Sequence, residues 1–392
     1  MKIYSGHHGF DELKSLINQL DLRCHDIILI TGQKSFDLIP NIEDLKSFLN
    51  QLKVFTYKNP QENPIISDIF NAITYFDSAS IKPKLIIAIG GGSVLDFSKI
   101  LRFCFENQIK ISADLLNLIN TNYTQLSLFD LPKPSNIELI AIPTTCGTGS
   151  EVTQFATFYE NKIKQSLDHF SLIPNQVILD PVFIQSLPKT VKAHTIADAI
   201  CQSIESFWNT RSTKESKNFA IKALSIYQEL LKNDLILSND AEINLQLLQA
   251  SHFAGQAIQI TRTTSAHAVS YPLTALFGIP HGQAVALSLP YFFEFNEDIN
   301  PDNCQDPRGY EFVQSELDKL KKLLNIENPS SSKNSLIKLF KLIGLKTKLS
   351  DFGISEMDLS IIADHSFNPS RMKNNPRMVS KDDLLKILKE SL

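Results

Sequence analysis

The sequence has few cysteines and no paired cysteine motif. Its 392 residues include five cysteines, and these lie far apart along the chain, at Cys24, Cys104, Cys146, Cys201 and Cys304. Without a Cys-x-x-Cys pair, neither a cysteine-based zinc site nor a dithiol redox site is indicated. An odd number of scattered cysteines is typical of reduced thiols, so we expect a cytoplasmic protein.

Long apolar runs and an excess of basic residues are also missing. No stretch reaches the roughly 18 to 20 apolar residues that cross a bilayer, and residues 1–6 lack the apolar core of a signal peptide. Lys and Arg number 38 against 42 Asp and Glu, a formal net charge of −4, which does not favour nucleic-acid binding. We therefore expect no membrane span, no secretion and no nucleic-acid partner, but a small-molecule ligand.

Short apolar runs in the first half of the chain each lead into a polar turn. They lie, with helical patterns between them, at residues 27–30, 85–89, 139–142 and 177–179. Unbroken apolar runs are typical of parallel strands that helices bury on both faces. From Val191 onward, apolar residues recur with a helical period. The sequence therefore predicts an α/β dinucleotide-binding domain with a parallel sheet flanked by helices over residues 1–187, and an all-α domain over residues 188–392.

Two of these turns carry groups suited to binding phosphate. Gly90-Gly91-Gly92-Ser93 follows the second run and opens a helical stretch, where backbone amides and the positive end of the helix favour an anion. The third run enters a turn, residues 144–151, with two glycines and four hydroxyl side chains. A plain tight turn is the alternative for the first segment taken alone, whereas the second turn carries more polar groups than a connector requires. Together, two such turns in one sheet predict a dinucleotide lying across it.

Three residues in the second half form a possible metal-ligand set. Asp198 lies early in a predicted helix, and Gln202, four residues later, shares its face. His267 and His281 follow further along the chain. A carboxylate with two imidazoles suits Zn²⁺ or Fe²⁺. The alternative is that each histidine is an ordinary core or surface residue.

The motifs together resemble the iron-containing (group III) alcohol dehydrogenases. The resemblance is carried, in order, by GGGS-x2-D-x2-K from Gly90, PTTxGTGSE from Pro143, the aspartate helix at Asp198 and the H-x13-H pair ending at His281. It extends to Gly6 and Gly9, Asn63-Pro64 and Asn375-Pro376-Arg377, and so covers nearly the whole chain. It implies a dehydroquinate synthase-like fold, with nicotinamide and metal meeting between the two domains.

The resemblance also implies roles for particular residues. It places cofactor contacts on Gly91, Gly92, Ser93, Asp96, Thr144, Thr145, Thr148 and Lys164. It places the metal on Asp198, His267 and His281, where the metal would act as a Lewis acid toward an aldehyde as hydride arrives. The final proton could come from bulk water or through a relay, for which Tyr271, four residues after His267, is a candidate. The family pattern has a histidine four residues after the aspartate, whereas this chain has Gln202, a weaker and harder donor. We expect one divalent metal, Fe²⁺ or Zn²⁺, with Gln202 or, alternatively, His194 as a further ligand.

Segments around these motifs resemble the branch that reduces phosphonoacetaldehyde to 2-hydroxyethylphosphonate. The branch is indicated by residues 198–208, 211–213, 262–267 and 371–376. A phosphonate needs compensating cations, and Arg262, Thr263 and Arg211 are the candidates. The alternative for these residues is a solvated helix end.

The cofactor prediction is NAD(P)H, with NADPH favoured. Relatives specific for NAD tend to carry an aspartate after the first run, where this chain has Gly32, and Lys34 with Ser35 could bind a 2′-phosphate. Three other functions stay open: a general short-chain alcohol dehydrogenase, a dehydroquinate synthase-like lyase acting on a sugar phosphate, and a metal-free nucleotide-binding protein. The resemblance to the family also implies a homodimer.

Overall fold

The computed structural model describes residues 1–20, 22, 26–59, 63–120, 136–161, 163–326, 332–367 and 369–392. Its strands are β1 (Lys2–Ser5), β2 (Ile27–Gly32), β3 (Phe55–Asn59), β4 (Leu85–Gly90), β5 (Glu138–Pro143), β6 (Phe155–Glu160), β7 (Ile163–Asp168) and β8 (Gln176–Leu179). Its helices in the first half are α1 (Gly9–Gln19), α2 (Ile42–Gln51), α3 (Ile66–Ser78), α4 (Gly92–Glu106) and α5 (Ser112–Asn120).

Helices make up the second half of the chain. They are α6 (Lys189–Trp208), α7 (Lys214–Lys232), α8 (Ala241–Thr261), α9 (Ser265–Phe277), α10 (His281–Glu297), α11 (Tyr310–Leu323), α12 (Ser332–Leu342), α13 (Leu359–Ser366), α14 (Pro369–Met372) and α15 (Lys381–Glu390). The prediction of an all-helical second half is confirmed.

Within the described residues, six strands form one parallel sheet in the order β1-β8-β5-β4-β2-β3. Each of the four predicted apolar runs is a strand of this sheet. The strands β1 and β3, at its two edges, were not predicted, nor was the antiparallel pair β6 and β7.

The sheet is buried on both faces because its strands are apolar at consecutive positions. Alternate residues of β2 and β4 enter different core clusters: Ile28, Ile30, Ile86 and Ala88 belong to one, and Ile27, Leu29, Leu85 and Ile87 to the other. Helices α3 and α4 contribute to the first cluster, and α1 and α2 to the second. This two-sided burial explains why the strands read as unbroken apolar runs rather than alternating patterns.

The chain divides into two compact units. The first comprises Met1–Thr145, Ser150–Leu187 and Asn239–Leu248, and the second comprises Cys146–Gly149, Pro188–Ser238 and Gln249–Leu392. In the second unit, α6 packs against α7, α10 and α11, and α9 packs against α10, α13 and α14. Every residue of α6 from Ile196 to Trp208 is buried, so α6 is the central helix of this unit.

Two further findings concern the cysteines and the helices. Cys104, Cys146, Cys201 and Cys304 are free thiols, and Cys24 lies outside the described residues. Among the described residues, no helix is both long enough and apolar enough to span a bilayer.

Candidate functional site

The central helix α6 brings three functional side chains to one face. Asp198, Gln202 and Glu205 are spaced four and three residues apart, which places them on successive turns of the same side. All three are buried, with 3%, 4% and 0% of their surface exposed. Because a buried carboxylate is costly without compensation, both Asp198 and Glu205 require cationic or hydrogen-bonding partners.

A glycine lets the second helix of the site approach α6 closely. Gly282 is the second residue of α10, and a Cβ there would come within 1.9 Å of the His194 carbonyl oxygen and 3.0 Å of the Asp198 Cβ. Any side chain at this position would therefore push the start of α10 away from α6. The preceding residue, His281, is carried next to Asp198 by this contact.

The predicted ligand set lies together. One ligand atom each from Asp198, His267 and His281 falls within 4.8 Å of the others. Asp198 Oδ1 is 3.2 Å from His267 Nε2 and 3.9 Å from His281 Nε2. The ligand atoms around one tetrahedral ion are roughly 3.4 Å apart, given metal–ligand distances of about 2.1 Å. The arrangement therefore fits one divalent cation.

Glu205 fixes the orientation of His267. His267 Nδ1 donates a hydrogen bond to Glu205 Oε2, which leaves Nε2 facing Asp198. The other oxygen, Oε1, accepts hydrogen bonds from the Thr264 hydroxyl at 2.7 Å and the Ala266 amide at 2.9 Å. A carboxylate at the first turn of α9 also interacts favourably with the helix dipole. A carboxylate behind a ligating histidine is a recurrent feature of metal sites.

The two carboxylates hold a proton on His267 when no cation is bound. Burial lowers the pKa of the His267 imidazole, but the charge of Glu205 and the hydrogen bonds with Asp198 and Glu205 outweigh it and raise the pKa to about 10. Burial likewise opposes ionisation of Glu205, yet His267 keeps the Glu205 pKa below its usual value. A cation binding at Nε2 has to displace this proton.

Ser270 sets the tautomer of His281. The Ser270 hydroxyl donates to the His267 carbonyl at 2.6 Å, so it accepts from His281 Nδ1, which lies 3.2 Å away. This leaves His281 Nε2 as the ligating nitrogen.

Tyr271 packs against the same imidazole. Its ring stacks on the His281 ring at a centroid separation of 6.4 Å and an interplanar angle of 17°. Its hydroxyl accepts a hydrogen bond from Arg371 Nε at 3.3 Å. The predicted relay residue is therefore adjacent to the ligand cluster, and its role as a relay stays a prediction.

Gln202 carries a buried acceptor atom that the described residues do not satisfy. Its Nε2 donates to the Thr148 carbonyl at 3.4 Å, whereas no hydrogen bond from the described part of the chain reaches Oε1. A buried acceptor left in this state costs about 1–3 kcal/mol. An amide oxygen on the face that presents Asp198 is a suitable donor for a divalent metal. His194, by contrast, is not part of the cluster that the described residues form.

The glycine turn and the threonine turn are neighbours in the first unit. Gly90 ends β4 opposite Pro143 at the end of β5, and the Thr144 amide donates to the Gly90 carbonyl at 3.0 Å. Gly91 precedes α4, whose first residues are Gly92 and Ser93.

The surface beside Gly91 fits a phosphate group. A Cβ on Gly91 would approach Thr145 Cγ2 to 3.2 Å, so a side chain there would fill the space. The Thr145 hydroxyl is buried, and no described group bonds to it. Backbone amides at the start of a 15-residue helix and an unsatisfied hydroxyl together suit a phosphate.

Asp96 binds groups of its own unit. It accepts hydrogen bonds from the Ser150 hydroxyl and, at 2.8 Å, from the Thr157 amide, and it lies 3.8 Å from Lys99 Nζ. Burial raises the pKa of Asp96 above its usual value, and the charges of Lys99 and of Lys164, which is half-buried on β7, offset this only in part. Asp96 thus connects the loop after β5 and the strand β6 to α4. The cofactor roles of Asp96 and Lys164 stay predictions.

The turn after β2 holds the residues predicted to set cofactor preference. Gly32 is the last residue of β2, and Lys34 is exposed in the turn. The turn also contains Asp37, an acid that the sequence motifs did not indicate, which forms ion pairs of 2.9 Å with Lys46 and with Lys58.

The three predicted substrate residues have mainly structural contacts. Arg262, at a φ of 64°, reverses the chain between α8 and α9, and its Nη1 donates to the Gln259 carbonyl at 2.7 Å. The Thr263 carbonyl accepts from Asn374 Nδ2 at 3.0 Å, and Arg211 is exposed. Their roles in substrate binding stay predictions.

Comparison with known proteins identifies the family. Residues 1–181 match the family described as "Iron-containing alcohol dehydrogenase", and residues 192–392 match "Fe-containing alcohol dehydrogenase family, C-terminal". Phosphonoacetaldehyde reductase of Streptomyces viridochromogenes is 30% identical over 79% of this chain and 77% of its own. NADPH-dependent butanol dehydrogenase of Clostridium saccharobutylicum is 26% identical over 98% of this chain and 95% of its own.

A solved structure shares the whole fold. It is sulfoacetaldehyde reductase from Bifidobacterium kashiwanohense in complex with NAD+, with a TM-score of 0.80 and 25% identity over 100% of this chain and 96% of that one. The matches to both halves, the parallel sheet followed by helices, and the ligand cluster agree with one another. The chain therefore belongs to the iron-containing alcohol dehydrogenase family and is an oxidoreductase.

Proposed function

We propose that this protein reduces a small aldehyde bearing an anionic group, foremost phosphonoacetaldehyde, to the primary alcohol at the expense of NADPH. The observation that carries the proposal is the cluster of Asp198, His267 and His281, with Glu205 behind it. Each turnover consumes the aldehyde, one hydride from the cofactor and one proton, and yields the alcohol and the oxidised cofactor.

Asp198, His267 and His281 would hold a divalent metal, and Gln202 Oε1 is the candidate fourth donor. When bound, the metal would supply Lewis acidity toward the carbonyl oxygen, and the nicotinamide would supply the hydride. The chain's own contribution is orientation. Glu205 keeps a proton on His267 Nδ1, and Ser270 keeps one on His281 Nδ1, so both Nε2 atoms point to the ligand position.

The cofactor's phosphates would bind at Gly91, Gly92 and Ser93, beside the Thr145 hydroxyl. We assign Thr144, Thr148 and Lys164 to the same ligand on the strength of the family motifs. NADPH is favoured because β2 ends in Gly32 rather than a carboxylate, and exposed Lys34 follows it. Asp37 opposes this preference only in part, because Lys46 and Lys58 compensate its charge.

The substrate class is supported by the relatives. One relative is named for phosphonoacetaldehyde and one solved structure for sulfoacetaldehyde, and both substrates are two-carbon aldehydes with a tetrahedral anionic group. The NADPH-dependent butanol dehydrogenase, by contrast, is named for an uncharged alcohol, and it matches a larger share of this chain than the phosphonoacetaldehyde reductase does. Substrate choice is therefore the part of the proposal that most needs a direct test.

The test is steady-state kinetics of the metal-loaded protein with phosphonoacetaldehyde and with propanal, each with NADPH and with NADH. We expect kcat/KM for phosphonoacetaldehyde to exceed that for propanal at least about tenfold, a margin that one charge-assisted contact supplies. A preference for propanal would refute the anionic substrate, and a preference for NADH would refute the cofactor assignment. Phosphate release from a sugar phosphate, without oxidation of NAD(P)H by any aldehyde, would refute the redox function itself.

A further inference from the structure

A tyrosine connects one arginine of the second unit to the ligand cluster. The Tyr271 ring stacks on the imidazole of His281, with 6.4 Å between centroids. Arg371 Nε donates to the hydroxyl of the same tyrosine at 3.3 Å. Two direct contacts therefore lead from a cluster ligand to a guanidinium group. Tyr271 and Arg371 are both half-buried, so neither is sealed in the core.

Two further arginines of the second unit, Arg308 and Arg377, also make close contacts. Arg308 forms an ion pair of 2.6 Å with Asp306 and donates to the Asn209 carbonyl. Arg377 donates to the Phe295 carbonyl at 2.6 Å and lies over that residue's ring. These two guanidinium groups fasten loops to helices.

The two arginines that the sequence suggested are placed less favourably. Arg262 Nη1 donates to a carbonyl of its own helix at 2.7 Å, and Arg211 is exposed to solvent. The contact of Arg371 with Tyr271, by contrast, leads to a residue that packs on a cluster ligand.

The residues that follow Arg371 are held by hydrogen bonds. The Met372 carbonyl accepts from Gln305 Nε2 at 2.7 Å. Asn374 Nδ2 donates to the Thr263 carbonyl, and Asn375 Nδ2 donates to Asn296 Oδ1 at 2.8 Å. Both asparagines are buried. A fixed backbone next to a cation reduces the ordering cost of binding an anion.

We infer that Arg371, positioned by Tyr271, binds the tetrahedral anionic group of the substrate, a phosphonate or a sulfonate. The planar fork of a guanidinium matches two oxygens of such a group. The aldehyde end would then face the ligand cluster, since Tyr271 contacts both Arg371 and His281. This inference rests on the proposed function and names the residue that selects its substrate class.

The test compares Arg371→Gln with Lys373→Gln, a matched control that removes a charge from an exposed side chain two residues away. The readout is kcat/KM for phosphonoacetaldehyde divided by kcat/KM for propanal. We expect Arg371→Gln to lower this ratio roughly 10- to 100-fold through KM, because a hydrogen bond to a charged group is lost. Lys373→Gln should keep the ratio within about twofold, and Arg371→Lys, which keeps the charge but not the fork, should fall between the two.

Binding gives a readout that does not depend on turnover. Calorimetry with methylphosphonate should show affinity at least about tenfold weaker in Arg371→Gln than in the wild type. If Arg371→Gln does not fold, as judged by its thermal transition, Arg371→Lys and Tyr271→Phe carry the same comparison. An unchanged ratio and unchanged binding in the folded variants would overturn the inference, as would a collapse of the ratio in Arg262→Gln instead.

The same experiments separate this inference from the proposed function. A wild type that reduces no aldehyde but binds methylphosphonate through Arg371 would refute the function and keep the anion site. If the protein reduces both aldehydes and the Arg371 variants change neither rate, the proposed function stands and the anion site is refuted. Parallel measurements with sulfoacetaldehyde distinguish the two anions, since the phosphonate can carry a second charge.

Discussion

The ligand cluster of the second unit and the glycine turn of the first are built in opposite ways. Around Asp198, His267 and His281, each position depends on another side chain, such as Glu205 behind His267. At Gly91 the useful groups are backbone amides and the space that a side chain would fill. The cluster is therefore sensitive to a change of chemistry, and the turn is sensitive to added volume.

Asp198→Ala breaks the cluster and has the largest expected effect. It removes the carboxylate that both histidines face, so we expect metal content below about one tenth per chain. Activity should fall by roughly 10³-fold, since several kcal/mol of transition-state stabilisation are lost with a catalytic metal. Elemental analysis and kinetics measure both, with the exposed Asp302→Ala as a control. Full activity in Asp198→Ala would show that the cluster is not the catalytic site.

Glu205→Gln tests whether the cluster depends on its supporting carboxylate. The variant keeps the size of the side chain but loses the charge that orients and polarises His267. Loss of such a partner lowers metal affinity about 10- to 100-fold. A titration against a chelator measures this, and Glu215→Gln, on the exposed side of α7, controls for loss of charge. Equal metal affinities in the two variants would show that Glu205 only caps the start of α9 and does not support the metal site.

Gly91→Val tests the other side of the comparison, because it adds volume without changing charge. Gly91 has an extended backbone, with a φ of −72°, so the variant is not strained, but its side chain would press on Thr145. We expect KM for NADPH to rise about tenfold while metal content stays at the wild-type value. A fall in metal content with unchanged KM would reverse the roles assigned to the two regions.

Gln202→His has the smallest expected effect and sharpens the account of the cluster. It replaces the amide by the imidazole that is typical of the family, on the face that presents Asp198. We expect affinity for Fe²⁺ or Zn²⁺ to rise about fivefold, because imidazole is the better donor for both ions. The chelator titration measures this. A lower affinity would indicate that the Gln202 position does not reach the metal.

Much of this structure could be predicted from short stretches of sequence. The central strands were found because each is an unbroken apolar run, and the glycine turn because it follows one of them directly. Asp198, His267 and His281 were found through family motifs, and the structure brings their ligand atoms together. The family and the fold class were both confirmed.

The strands and side-chain pairs that the sequence did not predict depend on contacts between distant residues. The edge strand β1 is exposed at most of its positions, and β7 is a largely polar strand, so neither gives an apolar run. Glu205 precedes His267 by 62 residues, and Tyr271 precedes Arg371 by 100. These pairs come into contact because α6 and α9 both pack against α10, and α9 also packs against α14.

The central claim is that Asp198, His267 and His281 bind one catalytic divalent metal. Anomalous diffraction from crystals of the metal-loaded protein, recorded at the absorption edge of the bound metal, tests it most directly. We predict one peak per chain, about 2.0–2.2 Å from one carboxylate oxygen of Asp198 and from the Nε2 atoms of both histidines. An active crystal with its only anomalous peak elsewhere, or with none, would contradict the account.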